Sequence, residues 1–535
     1  MRGADLLVKT LSNAGVEVIF TLSGNQIMPV FDACLDAGIR LIHTRHEGAA
    51  VYMAEAYAQL TGKVGVALIT AAPGFASGLG PLYMARKGEN PVLLLSGDSP
   101  VAQDGMGAFQ ELDQAGISAP LTKFSDRPRT PADMGPAAAK ALRIAASGRP
   151  GPTHLALAFD ALNGDASGAP VPSATDCAPE EQAANTDDVQ AILDAMAQAE
   201  RPVILTGPAN NRTRSGGRVE KLADALDAPV LALESPRGLN DPSLGNFKSA
   251  LAKADLIVSL GKDIDFTTGF GKAPVFAEDA AFMMIDPEEE ILERARSAMG
   301  PRNKRASRAD VRPVMDALIA QGPGGNARTA WREDMAGAIA ARPVVPETAD
   351  GPMHPATLFQ KVQPFLDDAD DPIVIIDGGE AGQWAQACLS APARIINGPS
   401  GAIGGCLCYA VAAKVARPDA SVVVVMGDGT AGFHFAEFET AHRYGADFIA
   451  IIAHDARWNA EYQIQLREYG AQRLYECELD ETRYDLAAAG FGCYGEQITD
   501  PADIQPALKR AAASGNTACL VARIEGIPAP SGSGH

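Results

Sequence analysis

The sequence predicts an α/β protein made of three doubly wound parallel-sheet domains in series. Three observations carry this expectation: short apolar runs rich in Val, Ile and Leu, helix-length segments between them, and two places where the rhythm stops. In the first block the runs are VEVIFTL, RLIHTR, VGVALIT, PVLLLSG and THLALAF. Residues 161–187 then lose the alternation and read as a linker. The second block carries RPVILTGP, APVLAL, DLIVSLG and FMMID, and a further interruption covers 321–355. The third block carries PIVIIDGG, RIINGP, SVVVVMGDG, FIAIIAHD and ACLVARIE. The expected domains are therefore 1–163, 187–322 and 353–530, with the tail APSGSGH disordered.

Length agrees with several domains, since 535 residues exceed what one core organises at about 100–200 residues per domain. Hydrophobic residues at 47% and charged residues at 21% are the balance of an ordinary globular protein. The formal net charge of −21 repels nucleic acid and anionic lipid, so neither is expected as a partner. No apolar run reaches the roughly 20 residues of a membrane span. MRGADLLVKTLSNAG reads as an amphipathic helix of the fold rather than a secretory leader. Of eight cysteines only Cys406 and Cys408 lie close, in neither a zinc nor a redox spacing. Buried reduced thiols of a cytoplasmic enzyme are expected.

Ligands of open α/β sheets bind beyond the carboxyl ends of the strands. The third block places Gly427-Asp428-Gly429-Thr430 there, and Asp455 ends the next apolar run in IIAHDARW. Two neighbouring strands would bring both carboxylates to one spot. Glycines let backbone amides approach an anion, and carboxylates hold a hard cation such as magnesium. A metal with a phosphate is the chemistry expected.

GDG followed about 25–30 residues later by an Asn or Asp pair at a strand end resembles the motif of thiamine-diphosphate enzymes. The resemblance implies that Asp428, Asp455 and the carbonyl of Arg457 hold Mg²⁺. It also implies that Gly427, Gly429, Thr430, Gly379 and Glu380 line the cofactor site. Where the family has Asn-Asn this chain has His454-Asp455, which adds a negative charge; His454 is expected to face the sheet as a structural residue. His434 stays open between a structural and a catalytic role.

Arg45-His46-Glu47-Gly48-Ala49-Ala50 follows the run RLIHT and opens a helix expected to reach about Leu60. Alone, Glu47 there complements a helix dipole. The pattern also resembles the family's catalytic glutamate. Raised in pKa by apolar neighbours, it would share a proton with the aminopyrimidine and leave the C2 ylid as nucleophile. Asn397-Gly-Pro-Ser-Gly-Ala-Ile403-Gly-Gly-Cys406 resembles the family's Gly-rich loop, with Ile403 at the bulky position beneath the bent cofactor. Glu47 and Asp428 are about 380 residues apart. In the family such residues meet across subunits, which implies a homodimer at minimum and a homotetramer by analogy.

The resemblance covers nearly the whole chain and is strongest to acetolactate synthases, benzaldehyde lyase and 2-hydroxyacyl-CoA lyases. Ala71-Ala-Pro-Gly-Phe75, Phe109-Gln110-Glu111 and Leu121-Thr122-Lys123-Phe124 carry that wording. Asn25, Gln26 and Gln110 are candidate polar contacts to substrate, with Gln26 standing where benzaldehyde lyase has His. Arg457, Trp458, Asn459, Glu461, Tyr462 and Gln463 follow the metal loop. Arg457 either meets a substrate anion or makes a surface ion pair. Relatives hold FAD or the ADP part of coenzyme A in the central domain. Neither has a fingerprint here, although Pro236-Arg237-Gly238 could line such a cavity.

The expected function is a C–C lyase or carboligase acting on small 2-oxo acids, aldehydes or 2-hydroxyketones. The alternatives are a 2-hydroxyacyl-CoA lyase or an oxalyl-CoA-type decarboxylase, and remotely an inactive cofactor-binding protein. A nicotinamide oxidoreductase would need G-x-G-x-x-G after a first strand with an acid about 20 residues on, and the chain lacks that arrangement.

Overall fold

The strands form where Val, Ile and Leu cluster, and a computed structural model describes them over residues 1–322, 327–342 and 351–530. Three wholly parallel sheets follow one another along the chain. The first contains β1 (Val18–Thr21), β2 (Arg40–His43), β3 (Gly65–Ile69), β4 (Val92–Asp98), β5 (Phe124–Asp126) and β6 (Thr153–Ala158), in the order β2-β1-β3-β4-β6-β5. The second contains β7 (Pro202–Thr206), β8 (Val230–Ala232), β9 (Leu256–Leu260), β10 (Ala281–Asp286) and β11 (Asn303–Arg308), ordered β11-β10-β9-β7-β8. The third contains β12 (Pro372–Ile376), β13 (Ala393–Ile396), β14 (Ser421–Gly427), β15 (Ile449–His454), β16 (Tyr494–Ile498) and β17 (Ala518–Arg523). Its order is β13-β12-β14-β15-β17-β16. The expected α/β class with three parallel sheets is what forms.

The central sheet explains why its strands read as unbroken apolar runs. Val203, Leu205, Ile257, Phe282 and Met284 enter one core, while Ile204, Leu256, Val258, Met283 and Ile285 enter another. Successive side chains point to opposite faces, and both faces of these inner strands are buried, so apolar residues occupy most of their positions.

Three strands lie outside the runs read from sequence: β5, β11 and β16. Each is an edge strand of its sheet. Residues 161–187 also differ from a plain linker. They end the helix Phe159–Asn163 and include the helix Ala174–Cys177. Arg2 bridges to Asp165, and Cys177 is buried in the first core. Residues 531–535 of the tail and 323–326 and 343–350 of the second interruption lie outside the described residues.

By contacts the chain forms two compact units. One comprises Met1–Glu180 with Leu407–Asp419 and His434–Asp447, and the other holds the remainder. No helix among the described residues is long and apolar enough to cross a membrane. None of the eight cysteines forms a disulfide, and every one except half-buried Cys388 is buried.

Candidate active site

In the first unit, β2 leads directly into the helix Glu47–Thr61. His46 caps it, its Nδ1 accepting the Gly48 amide at 3.0 Å. Glu47 lies in the first turn and is half-buried. Gly74 sits against it, so that a side-chain carbon at Gly74 would fall 3.2 Å from Glu47 Oε1. The turn is also gripped from behind. Glu437, 1% exposed, accepts the Arg45 amide at 2.9 Å and the Thr440 hydroxyl at 2.7 Å. Burial pushes the Glu437 carboxyl up to about 7 despite these donors. The His434 ring stands edge-on to His46 and Tyr52, at centroid distances of 5.5 and 5.4 Å.

The loop after β1 meets the loop after β4. Gln26, 7% exposed, donates to Gln110 Oε1 at 2.6 Å and accepts the Thr70 hydroxyl at 2.9 Å. Gln110 sits at φ 60°, and Ala72 of the neighbouring turn at φ 41°, both costly for side chains of L residues. The loop bearing Gln110 is braced. The Glu111 carboxylate accepts the amides of Gly105, Gly107 and Ala108, and Arg127 bridges Asp98 to Asp104. Asn25 of the same candidate set is exposed.

In the second unit β14 and β15 pair in parallel, with Gly427 opposite Ala453. That register places Asp428 and Asp455 together past the strand ends. Asp428 is 2% exposed, and its Oδ2 accepts the Ala456 amide at 2.7 Å. Burial first, and the Asp428 charge second, push the Asp455 carboxyl up to about 7. Thr430 donates its hydroxyl to the Gly427 carbonyl at 3.0 Å. Gly379, at φ 79°, opens the helix Gly379–Cys388, and the half-buried Glu380 accepts the Ala529 amide at 2.6 Å. Ile403 is half-buried and packs against the backbone of Gly378.

His454 departs from expectation. Its Nδ1 lies 2.7 Å from Asp428 Oδ2 and its Nε2 lies 3.2 Å from Glu481 Oε2, so it points at the motif instead of into a sheet face. Burial works against charge on the ring, but the bond to Asp428 together with the charges of Asp428 and Glu481 outweighs it, and the His454 pKa is raised. The Arg457 guanidinium stacks over the Tyr462 ring, 4.3 Å from the centroid.

Comparison with known proteins agrees with this geometry. Three family models match in chain order. "Thiamine pyrophosphate enzyme, N-terminal TPP binding domain" covers residues 1–117, the central domain 189–318, and the C-terminal TPP binding domain 377–522. A probable acetolactate synthase of Mycobacterium bovis is 30% identical over 527 residues, covering 96% of this chain and 94% of that protein. The chain belongs to the thiamine pyrophosphate enzyme family. Human 2-hydroxyacyl-CoA lyase 2 is 29% identical over 545 residues, covering 92% of this chain and 84% of that protein. A probable acetolactate synthase large subunit of Methanocaldococcus jannaschii is 27% identical over 536 residues, covering 96% and 90%. Membership makes the chain an enzyme that binds thiamine diphosphate and acts on a small molecule.

Several residues with contacts to the candidates have no local signal in sequence. Thr70 bonds Gln26, Glu437 grips the Arg45 turn, and Tyr484 donates its hydroxyl to the Asp428 carbonyl at 3.1 Å. Asp377 had a readable signal: like Asp428 it follows an apolar strand and precedes glycine.

Proposed function

We propose that the chain is a magnesium- and thiamine-diphosphate-dependent C–C lyase or carboligase of small 2-oxo acids, aldehydes or 2-hydroxyketones. The proximity of Asp428 and Asp455 carries the reading. Two hard carboxylates, one held at about 7 by burial and by its neighbour, are what a divalent cation relieves. No group of three or more His, Cys, Asp or Glu among the described residues could hold a metal. By the family resemblance the cation would rest on Asp428, Asp455 and the Arg457 carbonyl. Gly429 suits this neighbourhood: a side-chain carbon there would sit 2.8 Å from the Trp458 ring and fill the approach. Gly427, Thr430, Gly379 and Glu380 surround the same strand ends.

When bound, thiamine diphosphate supplies a carbon nucleophile for a carbonyl and a sink for the electrons of the broken bond. Glu47 would hold the proton for the aminopyrimidine ring, and the His46 cap and Glu437 fix its turn. Gln26 and Gln110, joined to each other, orient a substrate oxygen without donating a charge. Ile403 would serve as the prop for the cofactor. The domains are 1–163, 187–322 and 353–530, the assembly is a homodimer or homotetramer with shared sites, and the free thiols suit the cytoplasm.

The test is product analysis with pyruvate, Mg²⁺ and thiamine diphosphate. Carbon dioxide with a condensed hydroxy-oxo acid supports the proposal. Inertness to pyruvate with cleavage of a 2-hydroxyacyl-CoA would move the chain to the second reading, which the 29% identity to human 2-hydroxyacyl-CoA lyase 2 favours.

A further inference from the structure

Asp377 follows β12 directly and is 1% exposed. A carboxylate taken out of water is costly unless donors surround it. Here the donors belong to a loop. Both carboxylate oxygens accept the Gly404 amide, at 3.1 and 3.0 Å, and Oδ1 also accepts the Gly378 amide at 2.7 Å. Cys406 adds its amide and thiol. Burial still pushes the Asp377 carboxyl up to about 6.

The loop held in this way is the one that carries Ile403. Gly404, the next residue, takes φ 87°, and a side-chain carbon there would collide with Phe433 at 2.4 Å. On the other side Ile403 rests on Gly378, where a side-chain carbon would fall 2.7 Å from Ile403 Cγ2. The same carbon would fall 2.8 Å from Asn397 Nδ2, at the start of the loop. Both ends of the loop thus close onto the dipeptide Asp377-Gly378. One carboxylate fixes the backbone beside Ile403, and one bare glycine seats its side chain.

We infer that Asp377 is a positioning residue, whose carboxylate holds the loop 397–406 so that Ile403 stands at a fixed height for the cofactor. The inference rests on the reading of Ile403 as the prop beneath the cofactor rings. An Asn would offer one acceptor and turn an N–H₂ toward amides that need acceptors. Asp377→Asn should therefore loosen the loop while leaving Asp428, Asp455 and Glu47 in place.

The experiment has two readouts. In the cofactor-free protein, amide hydrogen exchange of 397–406 should be at least about tenfold faster in Asp377→Asn than in wild type. With Mg²⁺ and thiamine diphosphate bound, exchange of the cofactor C2 proton with D₂O should slow by about tenfold or more. The double variant Asp377→Asn/Ile403→Ala should be no slower than Ile403→Ala alone, because the two residues act in one chain. Multiplied effects in the double variant, or unchanged loop exchange in Asp377→Asn, overturn the inference. Should Asp377→Asn not fold, Gly378→Ala displaces Ile403 with the carboxylate intact and must show the same coupling to Ile403→Ala; independence there also overturns it. Failure of the underlying reading looks different: Ile403→Ala would leave C2 exchange unchanged, or wild type would bind no cofactor.

Discussion

The first and third sheets have the same strand order, second-first-third-fourth-sixth-fifth within each block, yet carry different chemistry at their carboxyl edges. In the first sheet the acid follows the second strand, as Glu47, and the third strand leads into Thr70-Ala71-Ala72-Pro73 with no charge. In the third sheet the loop after the second strand is the glycine-rich stretch from Asn397, while acids follow the third and fourth strands as Asp428 and Asp455. One topology aims the same loops at the same edge in both cases. Under the proposed function the side chains placed on them divide the labour, with proton handling on the first sheet and cation and diphosphate anchoring on the third.

That division can be broken most severely at Glu47. Glu47→Gln should lower kcat by about 10²–10⁴-fold with little change in cofactor affinity, read from turnover against a binding titration. Next in size is a test of the brace behind it. Glu437 is held at about 7 against the 4.5 of an ordinary glutamate, an offset of about 3 kcal/mol. A carboxyl with a raised folded-state pKa stabilises the protein below its unfolded value and loses that contribution as pH rises through 7. Comparing melting of wild type and Glu437→Gln from pH 5 to pH 8, the difference should move in favour of the variant as pH rises. A constant difference would mean that Glu437 does not titrate in this range.

Gly429→Ala should weaken cofactor binding by about tenfold, because the new carbon meets the Trp458 ring at 2.8 Å; calorimetric titration measures it. Gln26→Ala should give the smallest effect, a rise in KM of about three- to tenfold with kcat nearly kept, since it removes hydrogen bonds to Gln110 and Thr70 worth about 1 kcal/mol. Asp455→Asn should still bind Mg²⁺, because an amide oxygen remains a hard donor there.

The sheets were legible because strands buried on both faces spell themselves as apolar runs. The edge strands β5, β11 and β16 were not. Asn303–Arg308 and Tyr494–Ile498 pair on one side only and can afford polar residues, and Phe124–Asp126 is too short for a pattern. Double-faced burial also hid the direction of His454: where every position of β15 is buried, alternation no longer tells one face from the other. Asp428, Asp455 and Glu47 were readable as motif residues at strand ends. The Gln26–Gln110 bond spans 84 positions and the Arg45–Glu437 bond 392, and no local pattern encodes such closures.

The most direct test of the divided site is thermal unfolding of wild type, Glu47→Gln and Asp428→Ala, with and without Mg²⁺ and thiamine diphosphate. A ligand at 100 times its Kd stabilises the native state by about 2.7 kcal/mol, which a melting curve resolves. Wild type and Glu47→Gln should rise together in melting temperature, and Asp428→Ala should not rise. A shift retained by Asp428→Ala and lost by Glu47→Gln would contradict the assignment of anchoring to the third sheet and proton handling to the first.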